Sequence, residues 1–265
     1  MNLPVTLHQA RLGPVGFTVV RPARPLERAV LLDRDRYLDA CLDQEAAERI
    51  GALWLLAARS PRALVHLPIR GNGVVGEDGA RPLDLVLLHH SLQFAPSRWK
   101  ELRGRLGPGR PRTLSLPQPP EPAAVDHAAR HHRENRDLFH QHLHAETLFL
   151  TGSAKLFRET AHHFPDLARR GPGRAPAGSG HPHVCAELHS NDGVLGNARE
   201  MHFAYCPDWE WAGPAERRGR TGGPATGPPP AAGGPDQPRQ SGARPLSASA
   251  RSKAPAPAGA VSAGP

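Results

Sequence analysis

Hydrophobic positions near the start of the chain alternate first as in strands and then repeat at helical spacing. Residues 16–22 (GFTVVRP) and 28–32 (RAVLL) are typical of short strands separated by a turn that contains proline. With Asp33 as its N-cap, a helix is predicted from about Arg34 to Arg59. Its apolar face contains Leu38, Cys41, Leu42, Ala46, Ile50, Leu53, Trp54 and Ala57. Cys41 therefore falls on the buried side, where a thiol usually acts as a small inert hydrophobe.

Two further apolar runs predict strands inside a sheet. Residues 63–69 (ALVHLPI) form the first, and residues 83–90 (LDLVLLHH) form the second, which is apolar on both faces as a central strand should be. The connection between them is too short and too rich in glycine for a crossover helix, which favours antiparallel pairing. A short amphipathic helix is predicted over 96–106 and another strand over 112–117.

The second half of the chain predicts a pair of helices. The first is a long helix from Ala123 to Leu150. Ser153 can cap a second helix that runs to about Arg169, although Pro165 should kink or end it.

A β-hairpin with arms at 183–189 and 200–206 is the last predicted element. Both arms alternate between apolar and polar residues, so one side can face the core with Val184, Ala186, Leu188, Met201, Phe203 and Tyr205. The predicted class is α+β: a mixed or antiparallel sheet, packed by a long helix from the N-terminal half and a helix pair from the C-terminal half, and closed by the hairpin.

Composition separates the chain into two parts. Residues 1–213 are predicted to form a single globular α+β domain, whereas residues 214–265 are rich in Pro, Gly, Ala and Arg and are predicted to be a disordered tail. Of the net charge of +8, the tail carries +5, from seven basic and two acidic residues, which leaves +3 on residues 1–213. A nearly balanced domain argues against a dedicated nucleic-acid binder, but the basic tail allows weak association with nucleic acid or with an acidic partner.

The sequence also favours a particular cellular setting. The start of the chain lacks a charged region followed by an apolar one, and no apolar run approaches the roughly 18 residues of a membrane helix. Cys41, Cys185 and Cys206 are too few for a disulfide framework. A soluble, cytoplasmic, reduced protein without membrane partners is therefore expected, and the codon bias behind its Arg-, Ala-, Gly- and Pro-rich composition points to a bacterial origin.

Several motifs resemble known chemistry without meeting its requirements. GNGVVG (71–76) follows a predicted strand, but no helix begins after it to hold a pyrophosphate, so a flexible loop is expected and nucleotide binding stays the alternative. On the predicted long helix His140 and His144 share a face, but the H-E-x-x-H pattern is missing, which favours a solvated surface. TGSAK (151–155) offers an anion site or simply a helix cap, and His89 and His90 end a strand without a recognisable nucleophile.

The polar side of the hairpin contains the sharpest group of chemical side chains. If residue 189 pairs with residue 200, neighbouring Cβ atoms across the hairpin lie about 5 Å apart. The donors would then be His183, Cys185, Glu187, His202 and Cys206, a set that fits a zinc-like divalent metal. The alternatives are an ordinary polar face of a half-exposed sheet and a redox pair of Cys185 with Cys206.

The functional expectation is a non-enzymatic binding or interaction protein, with no catalytic residues predicted. The first alternative is a metal-binding protein or metal-dependent enzyme that uses the hairpin face. The second is weak nucleic-acid association through the tail, for which aromatic stacking residues are scarce: the chain has seven Phe and two Tyr.

Overall fold

The structure is a computed structural model that describes residues 1–72, 80–118, 126–132, 134–173 and 184–207. These residues belong to one compact unit, Met1–Thr221. Its two sheets and packing helices confirm the predicted α+β class. The predicted tail at 214–265 and the domain boundary at 213 lie outside the described residues.

Twelve strands are assigned in the described ranges, and they form two sheets. In chain order they are β1 (Asn2–Leu12), β2 (Val15–Pro22), β3 (Ala29–Asp33), β4 (Leu38–Leu42), β5 (Ala63–Leu67), β6 (Arg81–Pro82), β7 (Asp84–His89), β8 (Arg110–Ser115), β9 (His140–His144), β10 (Thr147–Gly152), β11 (Cys185–Leu188) and β12 (Met201–Tyr205). The first sheet has the order β8-β1-β2-β5-β7-β10-β9, and the second has the order β11-β12-β4-β3-β6.

Both sheets are mixed. In the first sheet β2 pairs with β5, and β7 with β10, in parallel, while the other pairs are antiparallel. In the second sheet β12 lies between β11, its antiparallel hairpin partner, and β4, with which it runs parallel. The hairpin therefore does not merely close the sheet, because its second arm lies inside the strand order.

The helices are α1 (Gln44–Arg59), α2 (Trp99–Gly104), α3 (His127–Arg130), α4 (Ala154–Thr160) and α5 (His163–Arg170). Helix α1 begins where the Asp43 carboxylate accepts a hydrogen bond from the Ala46 amide at 2.8 Å. The fully buried Trp54 of α1 donates from Nε1 to Oγ1 of Thr160 at 2.9 Å. Four aromatic rings lie against that indole at centroid distances of 5.0–6.3 Å: Phe139, Phe157, Phe164 and Phe203. Helices α1, α4 and α5 and both sheets thus share one main core.

A smaller apolar cluster lies on the other face of the seven-stranded sheet, under α2. Its centre is Trp99, which is fully buried and donates from Nε1 to Thr147 Oγ1 at 3.1 Å. The ring of the buried His66 packs nearly perpendicular to Trp99, with the ring centroids 4.9 Å apart. Polar groups under α2 are therefore enclosed by aromatic surface.

Most of the predicted strands are confirmed. The runs at 16–22, 28–32, 63–69, 83–90 and 112–117 overlap β2, β3, β5, β7 and β8. Strands β5 and β7 pair antiparallel, as their short connection predicted. The hairpin register is also confirmed, with Cys185 opposite Ala204 and Glu187 opposite His202. Its predicted apolar side contributes Ala186, Leu188 and Phe203 to the main core.

The predicted helix from Arg34 to Arg59 is wrong in its first third. Residues Leu38–Leu42 form β4, and the helix begins at Gln44 with Asp43 as its cap. Asp33 ends β3, where its buried carboxylate accepts hydrogen bonds from Arg81 and Arg199. The error arose because the spacing of Leu38 and Leu42 fits both kinds of element. Residues four positions apart share a face on a helix, and they also share a face on a strand. The buried Ala40 between them shows that the period is two.

The predicted long helix from Ala123 to Leu150 is also wrong. The described residues there form the four-residue helix α3 and the β9–β10 hairpin, and β10 is a nearly continuous buried run beside β7. The hairpin was missed because the turn between β9 and β10 lacks the usual sequence signal. Ala145 and Glu146 both have positive φ, 48° and 57°, at positions where Asn-Gly is the usual signal. Ser153 does cap the next helix, but the break falls at Ala161–His162, so Pro165 lies in the first turn of α5.

The expectation of reduced cysteines is wrong as well. Cys41 and Cys206 form a disulfide with a Cα–Cα distance of 5.7 Å across 165 positions of sequence, and Cys185 is free. Because Cys41 was assigned to a helix, nothing in the sequence placed it beside the hairpin. The parallel pairing of β4 with β12 does so.

Among the described residues, no helix is both long and apolar enough to cross a membrane.

Candidate metal centre

The candidate site lies on the polar face of the five-stranded sheet. Three neighbouring strands place Glu187 (β11), His202 (β12) and Asp39 (β4) in one row across the sheet. Cys185 lies in the next row, opposite Ala204. Side chains at paired positions point to the same face, so the pairing itself brings these four residues together.

The ligand atoms of Cys185, Glu187 and His202 all lie within 4.8 Å of one another. The Tyr205 amide donates to the Val184 carbonyl at 2.9 Å, which makes 184 and 205 a hydrogen-bonded pair. Glu187 and His202 are then a non-hydrogen-bonded pair, the type in which Cα atoms are about 4.5 Å apart and side chains are closest. The register thus explains why the cluster is compact.

Asp39 orients the imidazole of His202. Nδ1 of His202 donates to Oδ1 of Asp39 at 3.0 Å, and the opposite nitrogen, Nε2, lies 3.9 Å from Oε1 of Glu187. Arg34 donates to the second carboxylate oxygen of Asp39 at 3.3 Å. A carboxylate behind a histidine fixes its tautomer and directs the other nitrogen towards a metal. Here Nε2 is directed towards Glu187 and Cys185.

The pKa values of the pair reflect this bond. The hydrogen bond that His202 donates to Asp39 raises the pKa of His202, although partial burial opposes the rise. Burial alone would raise the pKa of Asp39, but the hydrogen bond and charge of His202, together with Arg34, lower it. Asp39 therefore stays ionised to a lower pH than an isolated aspartate, and His202 keeps its second proton to a higher pH than an isolated histidine.

The Cys185 thiol is protonated more readily than usual. Burial raises its pKa, and the negative charge of Glu187 raises it further. A thiol of this kind is a poor nucleophile, because the thiolate is the reactive form. A bound cation reverses this situation, since metal coordination deprotonates a thiol. The site is therefore better suited to binding a metal than to covalent catalysis by the free thiol.

Three of the five predicted ligands form this cluster among the described residues. The Cys206 sulfur is bonded to Cys41, and so does not lie there as a free thiolate. His183 lies outside the described residues. The remaining three provide one sulfur, one oxygen and one nitrogen donor, a set that zinc accepts with a fourth position open.

Sequence reasoning missed Asp39. The residue lay inside the predicted helix, so nothing connected it with His202, which is 163 positions away. A signal was present, because Leu38, Ala40 and Leu42 alternate with Asp39 and Cys41 as on a half-exposed strand.

A second histidine–aspartate pair, also missed, lies buried under α2. His66 is 1% exposed, and its Nε2 lies 3.6 Å from Oδ2 of Asp84, which is also buried. Arg21 donates from Nε to His66 Nδ1 at 3.0 Å, while Arg70 and Arg103 lie 3.5 and 3.4 Å from Asp84. Burial lowers the pKa of His66 despite Asp84. This group is a neutral histidine inside a network of charges.

The other predicted motifs contribute little to a site. Only Gly71 and Asn72 of GNGVVG are described, and the Asn72 amide donates to the carbonyls of Leu26 and Ala29, which ties the loop start to the domain. Ser153 accepts from the Leu156 amide at 3.1 Å and so acts as a helix cap. The rings of His89 and His90 pack together at 4.6 Å at the end of β7.

Comparison with known proteins identifies no relative: no family model, curated protein or solved structure matches this chain.

Proposed function

We propose that this is a non-enzymatic binding protein that holds one zinc-like divalent ion on Cys185, Glu187 and His202. The observation that supports it is the convergence of three different donor atoms within 4.8 Å, with Asp39 bonded behind the histidine. When bound, the metal would supply positive charge and an open coordination position. A donor atom from a small molecule or a protein partner could fill that position.

The exposure of the site supports binding rather than catalysis. The Glu187 side chain is 48% exposed, and that of His202 is 23% exposed. Catalytic metals act in a dry, shaped cavity that excludes water. A cluster on an accessible sheet face is better suited to capturing a ligand or a partner than to controlling a reaction.

The direct test is a zinc titration of the untagged protein, with the bound metal measured by elemental analysis. We expect one zinc per chain at this site and at least a tenfold loss of affinity for it in both Cys185→Ser and His202→Gln. His189→Gln is the matched control, because His189 contacts Glu200 at 3.0 Å on the same hairpin but outside the cluster. No stoichiometric zinc, or equal losses in the control, would refute the proposal.

Asp39→Asn tests the positioning role separately. Mutation of a residue that hydrogen-bonds to a metal-binding histidine typically lowers metal affinity about 10- to 100-fold, and we expect a loss in this range. With cobalt as the probe, thiolate charge-transfer absorption should persist in Asp39→Asn and disappear in Cys185→Ser. Unchanged affinity in Asp39→Asn would show that the aspartate does not position the ligand.

The proposal extends to location and partners. We propose a cytoplasmic protein whose basic 214–265 segment attracts an acidic protein or, weakly, nucleic acid; its net charge of +5 supports this part. Deletion of 214–265 should then abolish salt-sensitive binding to an anionic polymer, and equal binding would exclude the segment. Thiol trapping in intact cells tests the proposed location. If the Cys41–Cys206 disulfide persists there, the protein lies in an oxidising compartment and the cytoplasmic location is wrong.

A further inference from the structure

We infer a second transition-metal site, formed by His140, His142 and His144 on β9. It is independent of the Cys185 cluster and lies in the other sheet. The sequence there is H-Q-H-L-H, and its chemistry depends on whether the segment is a helix or a strand. On a helix only His140 and His144 would share a face, but on a strand all three imidazoles do.

The pairing of β9 with β10 establishes the strand and its register. His140, His142 and His144 lie opposite Thr151, Phe149 and Thr147. On the other face, the Gln141 amide group exchanges hydrogen bonds with the Arg199 backbone at 2.8 and 3.0 Å. These bonds hold the strand in place and separate the glutamine face from the histidine face.

The three imidazoles are accessible. Strand β9 is the edge of its sheet; His140 and His142 are exposed, and His144 is partly buried. Within the part of the chain that the structure describes, none of the three rings has a hydrogen bond or an ion pair. Their ring nitrogens are therefore available to an external ligand.

The spacing suits chelation by neighbouring histidines. The ring centroids of His142 and His144 are 6.4 Å apart, and the rings are tilted by 31°. Two nitrogens bound to one tetrahedral metal at about 2.1 Å lie about 3.4 Å apart. Exposed side chains can close that gap by rotating towards each other, without movement of the backbone.

The donor set determines the class of metal. Imidazole nitrogen suits zinc, copper and nickel, whereas magnesium and calcium require oxygen ligands. The nearest carboxylate along the chain, Glu146, is paired with Arg70. The site should therefore bind nickel or copper in preference to calcium, with His142 and His144 as the core pair and His140 as a third ligand.

The test uses nickel titration of the full chain carrying Cys185→Ser and His202→Gln, which removes the other cluster. We expect one nickel per chain, and at least a tenfold lower affinity when His142→Gln is added. The matched control adds His131→Gln and His132→Gln, two exposed histidines away from β9, and should bind as before. Failure of the other site leaves this result unaffected.

A second readout needs no substitution. Diethylpyrocarbonate labelling followed by mass spectrometry should show that nickel protects the peptide with His142 and His144 but not His131 and His132. Equal protection of both peptides, or equal nickel affinity with and without His142→Gln, would overturn the assignment.

Discussion

The protein contains two histidine–aspartate pairs with opposite electrostatics. His202 and Asp39 are bonded at 3.0 Å on a half-exposed sheet face, and the bond raises the pKa of the histidine. His66 and Asp84 are 3.6 Å apart under α2, where burial lowers the pKa of the histidine. The same two residue types thus favour a cationic imidazole in one sheet and a neutral one in the other.

The difference comes from what surrounds each pair. Around His66, desolvation is the main effect that opposes protonation, and the charges of Arg21 and Arg103 add to it. Around His202, Glu187 adds a second negative charge, and solvent remains close. The buried pair is suited to holding β5, β7 and α2 together, while the exposed pair is suited to a ligand that replaces the proton.

The largest expected difference between the pairs is in stability. Asp84→Asn removes the only acidic side chain that Arg103 contacts among the described residues, and it leaves the partly buried guanidinium groups of Arg70 and Arg103 without this buried counter-charge. Loss of one partner in a buried ionic network costs about 3–5 kcal/mol. Asp39→Asn, the matched change in the exposed pair, should cost about 1 kcal/mol or less. Urea unfolding of both variants measures this, and equal losses would contradict the comparison.

Loss of the Cys41–Cys206 disulfide should have the next largest effect on the free energy of unfolding. This effect concerns the sheet that carries the exposed pair. The Cys41–Cys206 bond joins the strand of Asp39 to the strand of His202 across 165 positions. A disulfide that closes a long loop typically stabilises the folded state by about 2–4 kcal/mol relative to the unfolded state. We expect this loss in the free energy of unfolding in Cys41→Ser with Cys206→Ser.

The control for that experiment is Cys185→Ser, which keeps the disulfide and should change stability by less than about 1 kcal/mol. Addition of a reductant should lower the stability of the wild type and leave the double variant unchanged. A wild type insensitive to reductant would show that the bond does not stabilise the fold.

The smallest expected difference is in how the stability of the fold depends on pH. The contributions of His202 and His66 should change with pH in opposite directions. His202 has a folded pKa above 6.5, so its stabilisation is complete below pH 6.5 and is lost as the pH rises through the folded pKa. His66 has a folded pKa below 6.5, so the fold loses stability as the pH falls from 6.5 towards that lower value. Between pH 5 and 8 both aspartates stay ionised, because their pKa values are lowered below 3.8.

Unfolding of His202→Gln and His66→Gln across that pH range measures the two contributions. The destabilisation of His202→Gln should shrink by about 1 kcal/mol or less as the pH rises. That of His66→Gln should grow over the same interval. If the destabilisation of both variants changed with pH in the same direction, the electrostatic difference between the two pairs would be refuted.

The sequence predicted what local periodicity controls. The strands around Val19, Val65 and Val86 and the alternation of Val184, Ala186 and Leu188 were recognised from neighbouring residues. The register of the C-terminal hairpin followed from its own alternation, which is why Glu187 and His202 were already placed together.

What the sequence did not predict depends on distant pairing or on unusual turns. Asp39 joins the site only because β4 runs beside β12, and the same pairing brings Cys41 to Cys206. The β9–β10 hairpin was hidden by Ala145 and Glu146, which occupy left-handed backbone positions without the expected glycine. His66 gave no signal, because a single histidine in an apolar run becomes informative only when Asp84 and three arginines surround it.

The position of β12 between β11 and β4 has a consequence for synthesis on the ribosome. Strands β3 and β4 emerge early, but the neighbour that covers the second edge of β4 is Met201–Tyr205. Until that segment leaves the exit tunnel, the nascent chain carries an open strand edge, the kind of surface that recruits other chains and chaperones. The second sheet is therefore completed only after Tyr205 has been synthesised, and the Asp39–His202 contact forms with it.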